Sequence, residues 1–146
     1  MQPGQNTKVV TMLNPVAVSA TTRTLIVDTA NASGAEIFLY VGAAGHTPSG
    51  TDKFTATLQS GSGITDIPSR MCKMQDGTLW PSSIVLDEAG DFGKLYRFPI
   101  RPDAGKRYVS LNIVEAGTAS APMAAWAVLA AANVPVEAPV VGTTAT

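Results

Sequence analysis

The chemistry open to this chain is limited by two single residues, His46 and Cys72, the only histidine and the only cysteine among 146 residues. A Ser-His-Asp or Cys-His arrangement needs an imidazole base beside its nucleophile. Here that base must be His46, in the loop Gly42-Ala43-Ala44-Gly45-His46-Thr47-Pro48. No Gly-x-Ser-x-Gly elbow accompanies it, so His46 is expected to be a surface-loop residue. Cys72 lies beside Lys73, whose charge would favour the thiolate. A lone free cysteine is more commonly a small buried side chain, and that is the expectation here. Asp87, Glu88 and Asp91 form the one acidic cluster. Such a trio suits calcium, but the spacing is not that of an EF-hand, and a solvated loop is expected. Asp91-Phe92-Gly93 matches the kinase tripeptide without the glycine-rich and catalytic loops that give it meaning. Asn31-Ala32-Ser33 fits a glycosylation acceptor and is read as a turn. No catalytic residue, cofactor or metal is expected.

Chemistry of contact is better represented. Arg97, Arg101, Lys106 and Arg107 are the one basic concentration. Placed on a strand and a turn, they suit either an anionic partner surface or a solvated sheet edge. Trp80, between Leu79 and Pro81, reads as an interface residue because buried tryptophans anchor contacts. Trp126, within an apolar run, reads as core. The interface candidates are therefore Trp80, Arg97, Arg101, Arg107 and Tyr108.

Composition narrows the classes. Hydrophobic residues make up 45% of the chain, so it is not disordered, while charged residues make up only 14% and leave a net charge of -1. Nucleic-acid binding needs clustered positive charge and is not expected. A weakly charged surface is poorly soluble alone and hints at an assembled state. A single cysteine makes no intrachain disulfide, so the fold needs no oxidising compartment. The stretch Met1 to Asn6 lacks the basic and apolar regions of a secretory signal. The longest apolar run, Ala121 to Val134, is short for a membrane span and contains Pro122. Synthesis in a cytoplasm and no membrane partner are expected.

The elements that would carry these residues read as strands. Gly105 to Val114 is the clearest, with Val109, Leu111 and Ile113 on one face and Tyr108, Ser110, Asn112 and Val114 on the other. Met123 to Ala132 follows a short turn and is expected to pair with it as a hairpin. Thr7 to Leu13 is a first strand, ended by Asn14-Pro15 because proline donates no ladder bond. Arg23 to Asp28 is a second. Glu36 to Val41 is a third, apolar on both faces. Lys53 to Gln59 alternates, with Phe54, Ala56 and Leu58 inward. Residues 64–93 are irregular, with a short strand at Ser83 to Leu86. Lys94 to Ile100 sets Leu95 apart from Tyr96 and Phe98, and Pro99 makes it an edge. Short strands with turn signals and no amphipathic helix predict an all-β fold, a single antiparallel jelly-roll-like β-sandwich. It would span residues 7–134, between an arm at 1–6 and an extended tail at 135–146.

The order of motifs is Thr7-Lys8-Val9-Val10, then Asp28-Thr29 before a small-residue turn, then Phe54-x-Ala56-x-Leu58-Gln59. Gly105-Lys106-Arg107-Tyr108-Val109 and a closing Val128-Leu129 complete it. Over about residues 7–131 this resembles the head decoration, or capsid cement, proteins of tailed bacteriophages. The resemblance implies a β-sandwich subunit without enzyme activity, often trimeric, bound to the major capsid protein on the virion exterior. The irregular 64–93 segment and the tail depart from that compact pattern. Two other roles fit the residues: a carbohydrate- or surface-binding module using Trp80, Asp87, Glu88 and Asp91, and another virion component such as a tail or head-joining protein.

Overall fold

The computed structural model describes residues 7–20, 22–30, 32–61, 70–71, 83–100 and 107–130. The expected terminal arms, most of the 64–93 segment, Cys72, Trp80, Arg101 and Lys106 lie outside these residues. Among the described residues nine strands form: β1 (Thr7–Ser19), β2 (Thr22–Asp28), β3 (Gly34–Val41), β4 (Lys53–Gly61), β5 (Arg70–Met71), β6 (Ile84–Leu86), β7 (Lys94–Ile100), β8 (Tyr108–Ala116) and β9 (Ser120–Ala130). One antiparallel sheet, A, has the order β1-β9-β3-β7. The other, B, has the order β2-β8-β4, with β5 and β6 pairing opposite ends of β4. Successive long strands alternate between the sheets, the double-sheet arrangement of a jelly roll. The β-sandwich expected from the sequence is thus the fold.

The core lies between the sheets and follows the period of two. Val109, Leu111 and Ile113 of β8 face Ile37, Leu39 and Val41 of β3 across it, with Phe54, Ala56 and Leu58 from β4. β9 contributes Ala121, Ala125 and Ala127, with Met123 and Leu129, from its inward face. Small groups on a central strand leave room for the leucines, isoleucines and phenylalanine of the opposite sheet, as close packing requires.

Four expectations need correcting. β8 and β9 do not form a hairpin: they lie in opposite sheets, joined by an arch at residues 116–119. Gly117 turns this arch with φ +69, and a Cβ there would lie 2.3 Å from Asp52 Oδ1 and 2.6 Å from the Thr51 carbonyl oxygen. Asp52 in turn accepts hydrogen bonds from the Thr118 amide (2.7 Å) and hydroxyl (2.8 Å). A short turn between two strands is compatible with a hairpin or an arch, and only packing partners separate them. Next, Asn14-Pro15 does not end β1. Register shifts between Thr11 and Leu13 and between Leu13 and Val16 absorb the pair, which an edge strand tolerates because its outer side has no ladder. The first shift turns both Met12 and Leu13 inward. β3 is buried on one face only: Glu36, Phe38 and Tyr40 point outward, and Tyr40 is 44% exposed. Trp126 also points outward, half-buried. The edge position of β7 and the outward turn of Leu95 are as Pro99 and the alternation predict.

Candidate interaction surface

The two outer faces differ in chemistry. On sheet B the rows across β2, β8 and β4 read Thr24-Asn112-Thr57 and Ile26-Ser110-Gln59, in which Asn112 donates to Gln59, and the row Thr22-Val114-Thr55 continues to Val85 of β6. The face is mostly hydroxyls and amides, with Val114 and Val85 exposed and no stacked aromatic ladder among the described residues. On sheet A the rows across β1, β9, β3 and β7 read Val9-Val128-Glu36-Pro99 and Thr11-Trp126-Phe38-Arg97, followed by Ala124-Tyr40-Leu95 from β9 to β7. That face is apolar and aromatic, with Val9 65% and Leu95 49% exposed.

Its centre is a ladder of stacked groups. The Phe38 and Trp126 rings lie 5.4 Å apart at 8°, within the offset-stacking range. The Arg97 guanidinium sits 5.5 Å from the Phe38 ring centroid, a cation–π contact. Arg97 Nε also donates to Glu36 Oε1 at 2.7 Å, and this bond and the carboxylate charge raise the Arg97 pKa. Each group fixes the next: Glu36 orients Arg97, Arg97 covers one face of Phe38, and Phe38 covers one face of Trp126. Because β9 lies between β3 and β1, the other indole face turns toward β1. There, a groove of about 440 Å³ opens between Trp126, Ala124, Val9, Thr11, Asn14 and Pro15.

The other basic residues are not gathered with Arg97. Arg107, at the entry to β8, clamps Asp28 at the end of β2, with Nε to Oδ1 at 2.7 Å and Nη2 to Oδ2 at 2.5 Å. The Arg107 carbonyl accepts from the Thr29 amide (2.8 Å) and hydroxyl (2.6 Å), and its guanidinium lies 5.3 Å from the Tyr108 ring centroid. Burial of Asp28 would raise its pKa, but hydrogen bonds from Arg107 and the Ala30 amide, with the Arg107 charge, outweigh it and hold the carboxyl below its usual value. Arg107 therefore has an intramolecular role, although its side chain remains 54% exposed. Tyr108 is half-buried on the outer face of sheet B. Of the expected contact residues, the structure brings together Arg107 and Tyr108 and places Arg97 on the other sheet.

His46 is half-buried rather than a free surface residue. Its Nδ1 lies 3.0 Å from the Ser120 carbonyl oxygen and 3.1 Å from the Ser120 amide, so it donates to the first or accepts from the second according to tautomer. Its ring packs edge-on against Phe92 at 5.3 Å and Phe54 at 6.1 Å. It thus clasps the 42–52 loop to the start of β9. The acidic cluster is also engaged: Asp91 Oδ2 accepts from the Asp87 and Glu88 amides at 3.1 and 3.0 Å, capping a short 3-10 turn, and Tyr96 Oη donates to the Asp91 carbonyl. Burial, then the Asp91 charge, raises the Tyr96 pKa. Among the described residues, no group of three His, Cys, Asp or Glu is placed to hold a metal ion.

Phe38 and Trp126, expected inside the fold, lie on its surface. The available signal was β9's own alternation, which sets Ala121, Met123, Ala125, Ala127 and Leu129 on one face and Ala124, Trp126 and Val128 on the other. An apolar run does not by itself show which of its large residues face inward.

The fold and this surface define a jelly-roll β-sandwich protein with one apolar aromatic outer face. No family model and no curated protein matches the chain. Solved structures are similar to it. The SPBc2 prophage-derived protein YomS is similar over 86% of this chain and 94% of its own, at 8% identity and a TM-score of 0.51. A protein of Bacillus endospore appendages, disulfide-linked pili, is similar over 91% and 96%, at 19% identity and a TM-score of 0.44. A chain of infectious bursal disease virus is similar over 88% of this chain and 33% of its own, at 14% identity and a TM-score of 0.40. Identities this low concern the fold alone.

Proposed function

We propose that the protein is a structural virion component that binds the outer surface of a phage capsid and stabilises it. The observation that carries this reading is the outer face of sheet A, an apolar aromatic surface held in place by stacking and an ion pair. Contiguous exposed apolar surface on a stable domain marks an interaction site, and a pre-formed one loses little entropy on binding. The low charge of the chain suits a surface covered in an assembly. Jelly rolls recur in viral capsid domains, a fold-level analogy that agrees with the resemblance of the motifs. The partner on this reading is the major capsid protein, and the subunit is a homo-oligomer, with a trimer favoured. Symmetric repetition would then multiply modest contacts through effective concentration.

The test is co-sedimentation of purified protein with capsids of the phage that encodes it, followed by heating of decorated and bare capsids. Decorated capsids are expected to resist higher temperature. Leu95→Asp and Tyr40→Asp should weaken attachment at unchanged melting temperature, whereas Val85→Asp, on β6 of the other sheet, should not. Absence of co-sedimentation, or equal heat resistance with and without the protein, refutes the proposal. Light scattering on the free protein distinguishes a trimer from a monomer.

A further inference from the structure

We propose that the groove beside Trp126 is a binding site for a neutral sugar ring. Three features select that ligand class. First, the groove has one aromatic wall whose opposite side is already occupied: Phe38 stacks on the indole at 5.4 Å, and Arg97 with Glu36 holds Phe38 in turn. The ring is held ready to receive a flat apolar face such as the C–H face of a pyranose. Second, Thr11 and Asn14 of β1 are among the lining residues and bring a hydroxyl and a carboxamide to the site. Neither side chain has a hydrogen-bond partner among the described residues. Asn14 and Pro15 lie at the second register shift of β1, and such irregularities commonly re-aim side chains at binding sites. Third, no ionisable side chain among the described residues lines the groove, which suits an uncharged ligand. Its volume of about 440 Å³ falls in the range of small-ligand sites, which combine apolar walls with a few placed polar groups. A proline-rich peptide would also use the indole face and offer carbonyl acceptors to the hydroxyl and amide, so it enters the test as a competing outcome. A second copy of this chain would be expected to cover the whole outer face rather than its β1 margin.

The test presents the full chain to an array of immobilised neutral oligosaccharides built from glucose, galactose, mannose and N-acetylhexosamines, with sialylated and sulfated glycans and proline-rich peptides alongside. The best neutral hit is then titrated into labelled protein by NMR. The expected result is binding of at least one neutral glycan, with shifts centred on the Trp126 indole N–H and the Asn14 side-chain amide. Trp126→Ala should weaken it about tenfold or more, a difference of about 1.4 kcal/mol. Thr11→Lys, an exposed edge-strand change that keeps the fold while filling the groove, should weaken it to a similar degree. Val114→Ser, on sheet B, should leave it unchanged. The proposal is overturned if no neutral glycan binds, if only acidic glycans or peptides bind, if the groove resonances move only with protein concentration, or if binding survives both groove variants.

Discussion

Replacing Trp126 by alanine separates a core tryptophan from a surface ladder. A tryptophan fully inside the sandwich would cost about 3–5 kcal/mol when truncated. Trp126 is instead half-buried on the outer face, so no cavity is left between the sheets and only part of that loss applies. Its stack on Phe38, at 5.4 Å and 8°, contributes about 0.5–1.5 kcal/mol beyond burial. With the partial burial, a total near 2 kcal/mol is expected, a fall in Tm of roughly 4–8 °C for a domain of this size. A double-mutant cycle of Trp126→Ala with Phe38→Ala, followed by urea denaturation, isolates the stack. Its coupling should be about 0.5–1.5 kcal/mol. A coupling indistinguishable from zero would refute the ladder. A single-mutant loss of about 4 kcal/mol or more would return Trp126 to the core and remove the basis for the groove.

Two further outcomes follow from the arch and the clamp. Gly117→Ala should destabilise by about 1–3 kcal/mol, because it places a side chain at positive φ and forces the Thr51–Asp52 backbone to shift; a chemical melt of the variant that matches the parent would contradict the arch. The Asp28 carboxyl has a folded pKa below its unfolded value of about 3.9. The stabilisation it contributes is therefore present above about pH 4 and is lost as pH falls through the lower, folded value. The stability difference between the parent and Asp28→Asn should shrink over that acid window, measured by urea midpoints, and a difference constant with pH would show that Arg107 does not hold an ionised carboxylate.

How much of this was legible follows from the kind of information each residue carries. Phe54, Ala56 and Leu58, and Val109, Leu111 and Ile113, announced their strands and their inward face, because alternation is local and a strand's two faces are fixed by its backbone. Pro99 announced an edge, because proline cannot donate to a neighbour on that side. Composition set the class: too little charge for nucleic acid, enough apolar residues for a core. The pairing of strands was not legible. β8 and β9 are consecutive yet lie in different sheets, a choice made by Gly117 and by the Asp52 carboxylate reaching Thr118 across 66 positions. The Arg107–Asp28 clamp joins residues 79 apart and gives an expected contact residue an intramolecular partner as well. The surface ladder was hidden for the same reason. Phe38, Trp126 and Arg97 lie on three separate strands, and only the register of β3 with β9 and β7 sets them in one row. Local alternation fixed which residues share a face of a strand; long-range pairing decided which face met the core and which side chains met each other.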